Sequence, residues 1–329
     1  MRIDKLDVAK GIGIICVIIS HCYIGGSVLQ KWLYAFHMPL FFFISGLFYK
    51  KRECKNFLVA RFRSLLVPYL FFAVSSTVLY VIIVYYSSSL QLEKHDVMDK
   101  IIGIFYAHAS DRWMFNITIW FLPCLYILEN LYNFIKNQFP DKHINFIVIG
   151  IFILGCFIGG YENRISIWSF DVAFVAIIFY HLGFLCKKYV IESRSKKLTI
   201  SLSFFLSLVS IIIVNYVSMV DMSHSEYGNP IVFVFQAFLG IVLIVSLSDL
   251  LSKSAMLAYF GKNSLIILGT HTLILMIFPG VLVKLGVDMS IDTTKTIISF
   301  VVCIALLPIV IYILNEYFYF LLGKSKKSI

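Results

Sequence analysis

Hydrophobic positions in this chain come in long unbroken runs, not in the alternation of half-buried strands or the narrow stripe of a soluble helix. Ten runs stand out, at about 11–24, 32–49, 65–87, 117–135, 144–160, 168–186, 198–217, 230–248, 264–283 and 296–322. Each is near the length of about 20 residues at which an α-helix crosses the hydrocarbon of a bilayer. The pattern predicts an all-α, polytopic membrane protein of about ten transmembrane helices. A membrane barrel is excluded, because its strands alternate apolar and polar positions. The longest connection, 88–116, contains the apolar stretch 101–106, which is too short to cross and is expected to lie at the interface or re-enter. Pro39 and Pro68 read as helix starts, where a missing N–H is tolerated.

Composition points the same way. Of the 329 residues, 60% are hydrophobic and 14% charged, against about 45–50% and about 25% in soluble domains. A water-soluble globule, a disordered chain and a disulfide scaffold are excluded. The net charge of +10 changes meaning in this setting. With the N-terminus inside and strict alternation, 21 of the 28 Lys and Arg fall in cytoplasmic segments. That is the positive-inside pattern, and it predicts both termini in the cytoplasm of a cell-membrane protein. The excess charge then meets anionic lipid and calls for no nucleic acid. Residues 1–329 read as a single membrane-embedded domain with no separate soluble domain. The first run reads as a permanent span, since Ser20-His21-Cys22 is not a small-residue cleavage site. Seven scattered cysteines without a CxxC pair suggest reduced core thiols, with no metal site and no permanently bound cofactor.

Polar residues inside the runs are therefore informative. The acidic residues there, Glu129, Asp171 and Glu316, all read as lying toward span ends. A bilayer centre nearly free of charge fits an enzyme or scaffold better than a proton-coupled transporter. His21 lies about ten residues into the first run. An ionisable side chain there points to function, the alternative being a neutral histidine sealing helix contacts. Asp7, Lys10, Ile14, Val17 and His21 recur at three- and four-residue steps. Lys10 and His21 thus share one helix face, about 16 Å apart, and can serve two ends of one long ligand. Arg61 and Arg63 lead into the third run and can grip phosphate in forked geometry. His37 reads equally as a catalytic and as an interfacial histidine, while Ser45 and Gly46 permit close helix approach. Asn263 and His271, at and inside the ninth run, are placed to line a cavity; packing is the alternative for His271. The partner orienting His21 is open, with Asp171 a candidate only because few carboxylates exist.

Several stretches carry a resemblance. Asp7-Val8-Ala9-Lys10-Gly11-Ile12-Gly13-Ile14 runs on to Ser20-His21, and Phe36-His37-Met38-Pro39-Leu40-Phe41-Phe42-Phe43-Ile44-Ser45-Gly46 follows. Arg61 through Pro68-Tyr69, Trp120-Phe121-Leu122-Pro123 and Gly261-Lys262-Asn263-Ser264-Leu265 to His271 come after them. In this order they resemble the membrane acyltransferase family 3, the bacterial polysaccharide O-acetyltransferases. The closest likeness is to the branch of fucose 4-O-acetylase-like and enterobacterial-common-antigen acetyltransferase-like proteins. The resemblance implies ten helices, acyl transfer from acyl-CoA to a carbohydrate or glycolipid hydroxyl, and an essential histidine at the position of His21. It also implies an arginine eleven residues earlier, where this chain has Lys10. An Arg-x-x-Arg pair before the third span is implied too, where this chain has Arg61 and Ser64 with Arg63 displaced by one.

The expected chemistry follows. Acyl-CoA enters from the cytoplasm with its phosphates at Lys10, Arg61 and Arg63, and its acyl arm runs toward His21. A sugar hydroxyl needs a base with a pKa near 7, which histidine supplies. A covalent acyl-histidine is a second route. Asp7, His37, Ser45, Asn263 and His271 are the candidates for binding substrate. The competing classes are an exporter of a glycan or small solute whose cationic mouth serves as an anion vestibule, and a structural or sensory membrane module whose histidines only pack.

Overall fold

The computed structural model describes residues 4–22, 25–86, 94–109, 113–160, 166–192, 197–289 and 291–324. Among them the chain forms thirteen α-helices and no strand. The helices are α1 (Asp4–His21), α2 (Val28–Leu47), α3 (Cys54–Arg61), α4 (Val67–Tyr86), α5 (Lys94–Tyr106), α6 (Phe121–Gln138) and α7 (Asp141–Gly159). They continue with α8 (Phe170–Glu192), α9 (Lys197–Val214), α10 (Pro230–Leu250), α11 (Ala255–Lys262), α12 (Ser264–Lys284) and α13 (Asp292–Tyr317). Six stretches are long and apolar enough to cross a membrane: Cys54–Ile83, Asp141–Gly159, Ile167–Ile191, Pro230–Leu250, Ser264–Lys284 and Asp292–Tyr317. Helices α1, α2, α6 and α9 cover the other predicted runs. Of the Lys and Arg that set the charge bias, Arg2, Arg112, Arg164, Arg194, Lys196, Lys326 and Lys327 lie outside the described residues.

Which side chains face out identifies the solvent. On α7 the exposed positions include Phe146, Ile149, Ile153, Leu154 and Phe157, while Ile144, Val148, Gly155 and Gly159 turn inward. Bulky apolar groups facing out, with glycines among the inward positions, suit a lipid surround, where close packing rather than water exclusion joins helices.

The chain divides into two compact units. The first comprises Met1–Tyr49 and Ile178–Pro308. Helix α1 is its central element and packs on α2, α10, α11 and α12. Two glycine-mediated contacts set the spacing. A Cβ at Gly11 would stand 2.0 Å from the Leu257 carbonyl oxygen of α11, and one at Gly261 would stand 1.7 Å from that of Asp7. Gly46 and Gly183 do the same between α2 and α8, against Tyr180 and Phe43. Asn229 caps α10 by accepting from the N–H groups of Ile231 (3.0 Å) and Val232 (3.2 Å), with Pro230 at the first helical position.

The second unit comprises Lys50–Ile177 and Ile309–Ile329. Here α3 runs through a π-helical turn, Phe62–Leu66, straight into α4. Pro68 therefore does not start a helix. The widened turn just before it relieves the ring's clash with the carbonyl four residues back. Pro39 likewise lies inside α2, twelve positions into the helix, where it deprives the Ala35 carbonyl of its donor. Glu129 is buried at mid-helix, since α6 runs on to Gln138. The apolar stretch 101–106 forms the C-terminal half of the 13-residue helix α5, held to α4 by a hydrogen bond from the Tyr69 hydroxyl to the Ile104 carbonyl at 2.7 Å.

Candidate active site

Helix α1 begins earlier than the hydrophobic pattern suggests and ends on His21, so the histidine closes the helix. The ending has a local cause. The N–H of Cys22 returns to the carbonyls of Ile18 and Ile19. Gln30, in the first turn of α2, donates to the Ser20 carbonyl at 3.1 Å and accepts from the Gly26 N–H at 2.7 Å. One side chain thus ties the end of α1 to the α1–α2 connection and fixes where His21 sits. The last turn also carries the negative end of the helix dipole, which favours a positive charge formed there.

Three histidines gather at this point. His21 is partly buried as a residue, and its ring centroid lies 5.4 Å from that of His271 on α12. The edge of Tyr34 on α2 approaches His21 at 6.0 Å and His37 at 5.0 Å. Both neighbouring histidines have their tautomer set by the backbone. His37 Nδ1 donates to the Leu33 carbonyl at 2.7 Å, and His271 Nδ1 donates to that of Ile267 at 2.8 Å. A carbonyl can only accept, so the hydrogen of each neutral ring sits on Nδ1 and Nε2 keeps its lone pair. His271 is fully buried, and its Nε2 has no hydrogen-bond partner among the described residues.

A loop after α9 brings a carboxylate to the cluster. Asp221 and Glu226 exchange backbone hydrogen bonds of 2.8 and 2.9 Å across a tight turn. The Asp221 carboxylate accepts from the Ser223 N–H (2.9 Å), the Ser223 hydroxyl (2.6 Å) and His224 Nδ1 (3.1 Å). Burial pushes its pKa up, but the hydrogen bonds from His224 and Ser223 outweigh it and hold the acid below its ordinary value. Its charge reaches His21, Tyr34 and His37.

The remaining predicted residues have definite places. Lys10 stands over the Phe48 ring at 4.9 Å and 4.0 Å from the carboxylate of buried Asp7. Ser45 is half-buried on α2, one residue before the contact glycine Gly46. Asn263 is buried between α11 and α12, and its amide donates to the Tyr259 carbonyl at 2.9 Å. In the second unit, Arg61 and Arg63 belong to the continuous α3–α4 helix and not to a lead-in loop. Arg61 pairs through Nε with Glu129 at 2.8 Å and lies over the Phe57 ring, while Arg63 is exposed. Asp171, in that unit, accepts from the Ser166 hydroxyl. Among the described residues, no three His, Cys, Asp or Glu side chains are grouped to hold a metal, and all seven cysteines are free thiols.

Sequence reasoning missed Asp221, Tyr34 and Gln236. Asp221 lay in a connection counted only for its length, although Asp221-x-Ser223-His224 is a self-bonding turn sequence. Gln236 is an amide inside the apolar run of α10. It is 1% exposed, with neither amide atom hydrogen-bonded among the described residues. Unmet groups of this kind cost about 1–3 kcal/mol each.

Comparison with known proteins completes the picture. No curated protein and no solved structure matches the chain. The acyltransferase domain of acyltransferase family 3 does match, over residues 3–316, from the first turn of α1 to the last turn of α13. With nearly its whole length covered, this helical membrane chain belongs to acyltransferase family 3 and is an acyltransferase.

Proposed function

We propose that this acyltransferase moves an acyl group, acetyl in the simplest case, from cytoplasmic acyl-CoA to a hydroxyl of a surface polysaccharide or lipid-linked sugar, with His21 as general base. One observation carries the reading. In a chain of an acyltransferase family, the partly buried residue His21 ends a helix beside a buried histidine whose lone pair is unmatched. The hydroxyl oxygen attacks the thioester carbonyl carbon as His21 takes the proton. The C–O bond forms, the C–S bond breaks, and the proton passes to the departing thiolate. The products are an O-acyl ester and free CoA. The negative end of α1 steadies the imidazolium between these two transfers.

In this reading Lys10 of the first unit holds phosphate of the donor, and Arg61 and Arg63 of the second unit are cationic residues able to bind phosphate in forked geometry. The ion pair with Glu129 and the stacking on Phe57 keep the Arg61 guanidinium from collapsing elsewhere. His37, Ser45 and Asn263, with Asp7 beside Lys10, border the path of donor and acceptor, and fully buried His271 stands beside His21. The protein crosses the cell membrane ten times with both ends in the cytoplasm, as the distribution of Lys and Arg supports.

The test has two arms. Detergent-purified protein binds acetyl-CoA, which an exporter lacking acyl-transfer chemistry does not. In cells, the acyl content of the surface glycan rises with the wild-type protein and not with His21→Ala at equal membrane level. Equal acylation by both proteins rejects the role of His21, and absence of acetyl-CoA binding turns the reading toward export.

A further inference from the structure

His271 holds an unusual position among the polar groups of the first unit. It lies eight residues into α12, is 0% exposed, and is anchored by Nδ1 to the Ile267 carbonyl at 2.8 Å. Its Nε2 is buried without a partner among the described residues. A core histidine that only fills space would leave this lone pair unmatched for nothing, since an apolar side chain packs as well. The ring of His21 lies beside it, at a centroid separation of 5.4 Å. Two imidazoles joined by an N–H···N hydrogen bond of about 3 Å have centroids about 5 Å apart. The separation seen, with the rings tilted by 50°, places the two imidazoles side by side without a hydrogen bond between them and close to the spacing one requires.

We propose that His271 is the positioning partner of His21: its Nε2 accepts the ring N–H of His21 and so keeps the other His21 nitrogen unprotonated and free to take the acceptor's proton. The inference rests on the reading of His21 as general base and supplies the orienting group which that reading lacks. The chain of donors runs in one direction. Ile267 C=O accepts from His271 Nδ1–H, and His271 Nε2 accepts from one nitrogen of His21. The second His21 nitrogen is left as a base. When the acceptor hydroxyl attacks the thioester carbon, its proton moves to that second nitrogen, a C–O bond forms and the C–S bond breaks. His21 is then an imidazolium with one N–H on His271 and the other facing the thiolate, which takes the proton and leaves as free thiol. His271 gains and loses no proton. It fixes the ring in the tautomer that can react, as a base's orienting neighbour does.

The experiment compares four purified proteins, wild type, His21→Ala, His271→Asn and His271→Gln, with acetyl-CoA as donor and a host glycolipid extract as acceptor. The rate read is that of free-thiol release. Glutamine can place its amide oxygen near the former Nε2, whereas asparagine stops short of it. His271→Asn is expected to lower kcat about 10- to 100-fold with KM for acetyl-CoA unchanged, and His271→Gln to recover most of the loss. His271→Asn turning over at the wild-type rate, or raising KM with kcat intact, overturns the proposal. Full turnover by His21→Ala rejects the parent reading instead, so the two failures are separate. Should His271→Asn not fold, the wild type decides alone, by ¹⁵N-histidine NMR in lipid bilayers. His271 with a protonated Nδ1 and a hydrogen-bonded, unprotonated Nε2 supports the assignment; a protonated Nε2 contradicts it.

Discussion

Lys10 and His21 lie eleven residues apart on α1, three helical turns, and the chemistry assigned to each can be probed alone. Lys10→Ala is expected to raise the apparent KM for acyl-CoA roughly tenfold and leave kcat within a fewfold, the loss of one charge-assisted contact of about 1.5 kcal/mol. Titration of acetyl-CoA in a thiol-release assay checks it. Asp221 offers a test of another kind. Its folded pKa lies below the unfolded value of about 3.9. The stabilisation is therefore fully present above about pH 4 and is lost as pH falls through the lower, folded value. Asp221→Asn lacks this dependence. The wild type's melting temperature should drop further between pH 5 and pH 3 than the variant's; parallel curves contradict the assignment. Sequence spacing was sufficient to align Lys10 with His21, because both sit on one regular helix. It was silent on Asp221, whose approach to the histidines depends on a turn that only tertiary structure brings home.

Helix packing around α1 rests on contacts with no room for a side chain. Gly261 and Gly11 meet backbone at 1.7 and 2.0 Å from where a Cβ would stand, so the cost falls on main chain that cannot yield. Gly261→Leu is expected to abolish the folded, monodisperse protein, while Gly280→Leu, with nothing within 4 Å, is expected to be neutral. Size-exclusion profiles of the two variants in detergent check this. The smallness of Gly46 was readable as permission for close approach, and α8 makes that approach through Tyr180 and Gly183. Helix ends were harder to read. Pro39 and Pro68 signal a start in isolation, yet α2 continues through the first. A π-helical turn absorbs the second, so that Arg61 and Arg63 become helical residues. Proline marks a missing donor, and whether the helix breaks there depends on what neighbouring helices hold in place.

Across the whole chain, continuous apolar runs were enough to identify helices and a membrane setting, since no aqueous fold tolerates them. Glu129 shows what they could not convey. Its carboxylate gains a place at mid-helix through Arg61, a partner 68 positions earlier. Glu129→Leu removes one member of a partly buried pair and is expected to destabilise the protein by about 1–3 kcal/mol, seen as a lower unfolding temperature in detergent. Its joint change with Arg61→Met should cost less than the sum of the two, as coupled partners do. Topology is tested by labelling cysteines introduced at Lys51 and Ser328 in intact cells: ten crossings predict protection of both until the membrane is opened. The central claim is that acyl transfer passes through the imidazole of His21. The most direct measurement is free-thiol release from acetyl-CoA by purified protein given a host glycolipid extract, wild type against His21→Ala. The account predicts release and matching O-acetyl ester with the wild type and at least a roughly 100-fold loss in the variant; equal rates from the two proteins contradict it.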